Sequence, residues 1–264
     1  MLDLKRLLAL LAAFAISTSA AETQKREAKI GNRVAVAAAA NLVFALDALN
    51  AEFTRSAPDI ALTATTAASG SLFAQIKNGA PFDVFLSADT DYPKQLVAEK
   101  LGDPATLRTF ATGRLVLWTT RTDLDVNDPA AAVRHPTVKK LAVAQPRTAP
   151  YGRAAQAALE KLGAWADAQP KIVFGENITQ TAQFVETGNA DAGFVALSLV
   201  LSPKLTNKGR WKEVPAADYA AVPLHHAGVL TNQGATNPAA KRYLDFLASE
   251  PAKKILHDFG YGVP

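Results

Sequence analysis

The chain has 264 residues, of which 49% are hydrophobic and 20% charged, with 15 Gly, 15 Pro and no Cys. This composition is typical of a globular protein and excludes a disordered tail protein, a collagen-like repeat, a disulfide scaffold, a cysteine-based zinc cluster and thiol chemistry. The 28 basic and 24 acidic residues leave a net charge of +4 and are scattered along the chain, so the charge is weak evidence for nucleic acid as a partner and favours a small anion slightly more.

The N-terminus predicts a signal peptide for export. Lys5 and Arg6 precede an apolar run, 7–16, that is too short to span a bilayer, and the small residues Ser19 and Ala21 follow it. Cleavage is predicted near Ala20 or Ala21, which places the mature protein in the periplasm. The alternative, a buried N-terminal helix, does not account for the three features together.

In the mature chain, short apolar runs alternate with segments of helical period, which predicts an α/β fold. The predicted elements are, in chain order, strand 33–39, a helix with an apolar stripe that ends before Pro58, strand 60–65, helix 71–77, strand 82–86, a helix that ends at Gly102, strand 115–120, strand 141–144, helix 152–162, strand 171–174, helix 178–187, strand 191–195, a strand around 228–231, helix 238–248 and helix 252–259. No flexible linker or internal repeat occurs, so two domains would need short crossovers, for which 110–114 and 221–225 are candidates.

Three junctions share one pattern, in which a strand ends in small or hydroxyl-bearing residues and a helix begins at once. They are 37–41, 67–71 and 149–152, and a fourth junction, 174–178, follows a similar pattern. The first turn of a helix has about four N–H groups without intrahelical partners and a partial positive charge, so an oxyanion can bind there without Lys or Arg. Any one of these junctions alone is typical of an ordinary helix cap.

At these junctions the sequence resembles the periplasmic molybdate-binding proteins of ABC importers, within the type II periplasmic binding protein fold. The matching stretches cover nearly the whole mature chain: Val36-Ala-Ala-Ala-Ala-Asn-Leu, Ala68-Ser-Gly-Ser-Leu-Phe-Ala-Gln-Ile, Gly79-Ala-Pro-Phe-Asp-Val-Phe-Leu-Ser-Ala-Asp, Pro150-Tyr-Gly-Arg-Ala-Ala, Leu159-Glu-Lys-Leu-Gly-Ala-Trp, Phe184-Val-Glu-Thr-Gly-Asn-Ala-Asp-Ala-Gly-Phe-Val and Phe246-Leu. The block 79–89 is the most specific of them.

This resemblance implies two α/β lobes, joined by two hinge crossovers, that close over a tetrahedral oxyanion. Lobe I is expected at 30–112 plus 223–264 and lobe II at 113–222. By position, the expected ligand-binding residues are Ala40, Asn41, Ser69, Tyr151 and Ile178, with Ala40 and Ile178 acting through backbone N–H groups. Ala196 stands where some members have a donor Tyr, and Tyr151 is expected to replace that hydroxyl from the opposite wall.

The resemblance implies a monomeric solute-binding protein, without enzymatic activity or cofactor, that delivers molybdate, and tungstate with it, to an ABC-type membrane permease. Molybdenum would enter only as the oxyanion, with no direct protein ligand. A site made only of donors rejects a protonated oxyanion, whose O–H needs an acceptor. Asp83 and Asp89 are therefore expected to be structural, and Glu176 to point away from the ligand.

Two alternatives stay open from the residues alone. The first is a binder for sulfate or a small organic anion in the same fold, and four arginines are near the junctions in sequence: Arg33, Arg114, Arg147 and Arg153. The second is an exported hydrolase that uses Ser69 or Ser71, although the Gly-x-Ser-x-Gly motif is absent and no His is suitably placed. His225 and His226 are neighbours on a strand, so they are expected to point to opposite faces and not to form a metal pair.

Overall fold

The computed structural model describes residues 32–264, and the predicted signal peptide lies outside these residues. The strands are β1 (Arg33–Ala39), β2 (Ala61–Ala67), β3 (Val84–Ser87), β4 (Arg108–Thr112), β5 (Leu115–Thr119), β6 (Leu141–Ala144), β7 (Ile172–Gly175), β8 (Ala192–Ala196), β9 (Arg210–Glu213) and β10 (His225–Leu230). They form two five-stranded sheets, with strand orders β2-β1-β3-β10-β4 and β7-β6-β8-β5-β9. The α/β prediction is confirmed.

Helices connect and cover the strands of both sheets. They are α1 (Val43–Ser56), α2 (Ser69–Lys77), α3 (Asp91–Ala98), α4 (Pro129–Arg134), α5 (Pro150–Lys161), α6 (Trp165–Ala168), α7 (Ile178–Glu186), α8 (Leu197–Val200), α9 (Asn232–Ala235), α10 (Pro238–Phe246) and α11 (Glu250–Asp258), with short 3-10 turns at Ala40–Leu42, Pro104–Thr106, Gln169–Lys171 and Ala216–Tyr219. Within the described residues, no helix is long and apolar enough to cross a membrane.

The sheets have the same mixed topology, which brings the strand-to-helix junctions together. β1 is parallel to β2 and β3, and β6 is parallel to β7 and β8, whereas β10 and β5 run antiparallel to their neighbours. The carboxyl ends of the parallel strands in each sheet therefore lie along one edge. In open α/β sheets, ligands bind outside this edge.

Burial explains the local structure of the elements that carry the junctions. β3 and β6 are buried along their whole length, as expected for strands covered on both faces. α1 buries Leu46, Leu49 and Phe53 at helical spacing. Phe53 packs edge-on against Tyr243 of α10, with ring centroids 5.1 Å apart, so this C-terminal helix packs against α1.

The chain passes from the first sheet to the second between β4 and β5, and returns before β10. The predicted crossover 110–114 is partly wrong, because Phe110 and its neighbours continue β4, and only positions 113 and 114 connect the sheets. The predicted crossover 221–225 also extends one residue into β10. All strands of the first sheet fall within 30–112 and 223–264, and all strands of the second within 113–222; the lobe boundaries themselves stay a prediction.

Candidate functional site

A small cavity lies between the carboxyl edges of the two sheets. Its lining comes from both halves of the chain: Ala39, Ala40, Asn41, Ala67, Ala68, Ser69, Ala88, Ala149, Pro150, Tyr151 and Ile178. The structure thus brings all five residues of the predicted site into one cavity. Their role as ligand-binding residues stays a prediction.

The cavity is lined by the starts of four helical segments. Ala40 and Ser69 are the first residues of their segments, Tyr151 is the second residue of α5, and Ile178 is the first residue of α7. No acidic residue lies in the first turn of any of the four, so their partial positive charges are not neutralised locally. The electrostatic environment at these helix starts therefore favours an anion.

The helix-cap alternative does not hold for Asn41 and Ser69. Neither the 3-10 turn at Ala40–Leu42 nor α2 has a side-chain cap hydrogen bond. The α7 start is capped differently: the Asn177 side chain accepts hydrogen bonds from the backbone N–H groups of Thr179 and Gln180, each at 3.0 Å. That cap uses the second and third residues of the helix and leaves the Ile178 N–H for the cavity.

The Ser69 hydroxyl is positioned as a donor. Ser69 is buried, and its Oγ accepts a hydrogen bond from the Ala88 backbone N–H at 3.0 Å. A serine hydroxyl has one hydrogen to donate, and this bond uses only a lone pair. Its hydrogen is therefore available to a ligand in the cavity.

Tyr151 contributes a phenol that keeps its proton. The side chain is buried, and burial raises the pKa of Tyr151 well above its usual range, with the nearby Tyr261 and Tyr219 adding to the shift. Its ring packs edge-on against the His226 imidazole, with centroids 6.2 Å apart. At neutral pH the group is therefore a neutral O–H donor.

Asn41 belongs to a buried hydrogen-bond network that sequence reasoning missed. Its Nδ2 lies 2.7 Å from His226 Nε2 and 2.7 Å from the Tyr261 hydroxyl, and its backbone carbonyl accepts from Ser198 Oγ and from the Tyr261 hydroxyl, each at 3.0 Å. These partners are 157 to 220 positions away along the chain, so no local signal relates them to Asn41. As predicted, His225 is exposed and His226 buried.

Charged side chains are absent from the cavity lining. Asp83 accepts a hydrogen bond from the Ala35 backbone N–H at 2.7 Å, Asp89 is paired with Arg153, and Glu176 is exposed. None of the four arginines considered from the sequence lines the cavity. The described part of the chain also has no group of three or more His, Cys, Asp or Glu residues that could hold a metal ion.

Contacts between the two halves surround the cavity. The Gly70 N–H donates to the Thr148 carbonyl at 2.9 Å, and Thr179 Oγ1 donates to the Ala40 carbonyl at 2.9 Å. The Arg153 guanidinium forms an ion pair with Asp89. The structure therefore has its cleft closed.

We expect Gly113→Ala to lower the free energy of unfolding by about 1 to 3 kcal/mol, because the new methyl group would overpack the crossover. Its Cβ would collide with the Tyr151 hydroxyl and lie 2.7 Å from His226 Cε1. Urea unfolding measures the loss.

Gly262→Ala is the matched control, because its Cβ would meet only Thr112, at 3.4 Å or more. Adding Tyr151→Phe to Gly113→Ala removes the closest clashing atom and is expected to restore part of the loss. Equal stability of Gly113→Ala and the parent would mean that the phenol is not fixed at this position.

The chain is similar to known proteins over most of its length. The sequence model of the family described as bacterial extracellular solute-binding protein matches residues 34–262. The chain is 38% identical over 231 residues to the molybdate-binding protein ModA of Azotobacter vinelandii, covering 87% of this chain and 90% of that one. It is 39% identical over 238 residues to ModA of Rhodobacter capsulatus, covering 86% and 91%. The solved structure of the Azotobacter vinelandii periplasmic molybdate-binding protein superposes with a TM-score of 0.82 at 30% identity, covering 88% of this chain and 99% of that one.

Proposed function

The chain belongs to the bacterial extracellular solute-binding protein family, and we propose that it captures molybdate and delivers it to an ABC transporter. Its fold is that of the type II periplasmic binding proteins, with two α/β lobes and a ligand cleft between them. One observation carries the proposal: the cavity between the sheets is lined by helix starts and neutral side chains, without a charged group.

Five residues are proposed to bind the oxyanion. Ala40 and Ile178 donate backbone N–H groups, Ser69 and Tyr151 donate hydroxyls, and Asn41 donates its side-chain amide. The support is their common position in the cavity and the chemistry of their groups. Ala196 ends β8 and is buried, so a side-chain hydroxyl is missing there, and Tyr151, in the same half of the chain, supplies one from the start of α5.

Donor groups without a carboxylate favour a fully deprotonated dianion. Phosphate retains a proton near neutral pH and needs an acceptor for it, whereas molybdate, tungstate and sulfate do not. Tungstate, with a size and hydrogen bonding close to those of molybdate, is proposed as a second ligand. Sulfate is smaller and is discriminated by the fit of the cavity.

The family and the sequence support a cellular setting for this function. We propose that the signal peptide is removed near Ala20 or Ala21 and that the mature protein acts as a monomer in the periplasm. Anion capture closes the two lobes, the closed form docks on the membrane permease, and opening of the lobes there releases the anion.

A catalytic role is not proposed. Ser69 Oγ accepts an N–H from Ala88, while His226 contacts Asn41 and His225 contacts Thr112, so no base activates the serine within the described residues.

Calorimetric titration of the mature protein with molybdate, tungstate, sulfate and phosphate, at one pH and one salt concentration, tests this function. We expect tight binding of the first two, weak binding of sulfate and none of phosphate. Equal affinity for sulfate would contradict selection by fit, and no response to any of the four would contradict the function.

Ser69→Ala is expected to weaken molybdate binding by about 1 to 3 kcal/mol, because one oxygen of a buried anion loses its donor. Ser71→Ala is the matched control: Ser71 lies two residues further along α2 and lines a separate outer groove with Gln145 and Phe174. Calorimetry on both variants is the measurement. If the two variants bind molybdate equally well, Ser69 is not in the site.

A further inference from the structure

The orientation of the Asn41 amide is fixed by His226. His226 Nδ1 lies 3.0 Å from the Leu224 carbonyl oxygen, which can only accept, so the hydrogen is assigned to Nδ1. In a neutral imidazole, Nε2 is then an acceptor. It accepts from Asn41 Nδ2 at 2.7 Å, and the other hydrogen of Nδ2 goes to the Tyr261 hydroxyl.

This arrangement leaves the other end of the Asn41 amide without a partner. Both hydrogens of Nδ2 are used, and Oδ1 is the one buried side-chain polar atom among the described residues that has no hydrogen bond. Asn41 lines the cavity and is buried. A partnerless acceptor oxygen beside a dianion is repelled by it, whereas the N–H₂ end of the same amide would bind it.

We propose that His226 is a positioning residue of the anion site: when the dianion enters, the Asn41 amide turns its Nδ2 to the anion and its Oδ1 to His226, whose Nε2 takes up a proton to hold it. This inference rests on the proposed function and specifies how Asn41 becomes a donor. It makes anion capture a proton-coupled step.

Each hydrogen bond of the turned state has a donor and an acceptor. One proton from solvent is added to Nε2, which donates to Asn41 Oδ1, while Nδ1 keeps its hydrogen on the Leu224 carbonyl. The Tyr261 hydroxyl donates to Oδ1 in place of the backbone carbonyl of Asn41, and Ser198 Oγ continues to donate to that carbonyl. The imidazolium offsets one of the two negative charges that enter the cavity.

The surroundings of His226 keep it neutral until the anion arrives. Its ring packs against Phe110, Tyr151 and Tyr261, its titratable chain neighbour is His225, and no carboxylate is in contact with it within residues 32–264. Burial, with a smaller contribution from His225, lowers the pKa of His226 to about 4. A dianion nearby raises this pKa, so a proton is taken up at any pH between the value in the empty site and the value in the complex.

Proton uptake can be counted directly. Molybdate is titrated into the full mature protein at about pH 6 in several buffers of different ionisation enthalpy, and the slope of the binding enthalpy against that ionisation enthalpy gives the number of protons. We expect uptake that approaches one proton, with an affinity that falls up to about tenfold per pH unit as the pH rises toward the pKa of His226 in the complex.

His226→Gln is the test variant, because a glutamine amide can donate or accept without titrating. We expect it to bind molybdate with no proton uptake, while His225→Gln, which changes the exposed neighbour, keeps the uptake. Binding by the parent protein without proton uptake, or unchanged uptake in His226→Gln, would overturn the inference and leave the proposed function standing. No binding of molybdate by the parent protein would instead overturn the proposed function, and this inference with it.

Discussion

Arg153→Met is expected to weaken molybdate binding by about 100-fold or more. Asp89 follows β3 of the first sheet and Arg153 lies in α5 of the second half, so their ion pair joins the two sides of the cleft. The Asp89 side chain is only 4% exposed and that of Arg153 is 28% exposed. Removing the arginine leaves the buried Asp89 carboxylate without its countercharge, which costs up to about 5 kcal/mol.

This cost is expected to affect the closed state more than an open one. Asp89 also accepts from Ser87 Oγ at 2.8 Å and from the Tyr92 N–H at 3.2 Å, yet burial raises its pKa above the usual range. Water reaches the carboxylate when the cleft opens, so the variant is expected to be more open. Calorimetry measures the affinity, and small-angle X-ray scattering measures the compactness with and without molybdate.

Two further variants separate the ion pair from a general effect of losing an arginine. Arg134→Met breaks the exposed pair with Asp167, whose N–O distance is 2.8 Å, and is expected to leave binding unchanged. Adding Asp89→Asn to Arg153→Met removes the uncompensated charge and is expected to recover much of the affinity. If the double variant binds no better than Arg153→Met alone, the ion pair does not stabilise the closed cleft.

Acidification is expected to destabilise the molybdate-free protein by about 3 kcal/mol through His226 alone. The pKa of this buried side chain is about 4 in the folded protein, compared with an ordinary value of 6.5. Above pH 6.5 the imidazole is neutral in both the folded and the unfolded chain, so the protein keeps its full stability there. Between pH 6.5 and 4 the unfolded chain takes up a proton that the folded protein does not, and stability is lost as the pH falls.

Urea unfolding at several pH values, with the parent protein and His226→Gln compared, isolates this contribution from those of the other titrating groups. The variant is expected to lose about 3 kcal/mol less than the parent between pH 6.5 and 4. His257→Gln, at an exposed position in α11, is the control and is expected to follow the parent. Parallel curves for the parent and His226→Gln would show that His226 is not held neutral by burial.

Much of the fold was predictable because its inner strands are apolar. The predicted bounds of β1 and β6 are confirmed, and those of β3 and β8 are within two residues. β4 and β9 were not predicted: the end of β4 was assigned to a crossover, and β9 is a polar segment, Arg-Trp-Lys-Glu, that is mostly exposed. Such a strand is stabilised by hydrogen bonding to the neighbouring strand, and its sequence has no alternation of apolar and polar residues that would predict it.

The cavity residues were predictable where the chemistry is local. A short pattern, in which small residues are followed directly by a helix, predicts the positions of Ser69 and Tyr151 from a few neighbouring residues. The partners of Asn41 were not predictable in this way, because His226 and Tyr261 reach it from the returning C-terminal segment. The resemblance to the family identifies Asn41 by its position in the sequence, but it does not identify the residues that orient the Asn41 amide.

The strand order of the first sheet also constrains when this protein can fold during export. β10 lies between β3 and β4, so β4 has no neighbour in its sheet until residues 225–230 are available. A chain that crosses a membrane N-terminus first must therefore bring most of its length across before the first sheet can be completed. Since every strand of the second sheet precedes β10 in the chain, we expect the second sheet to be completed before the first.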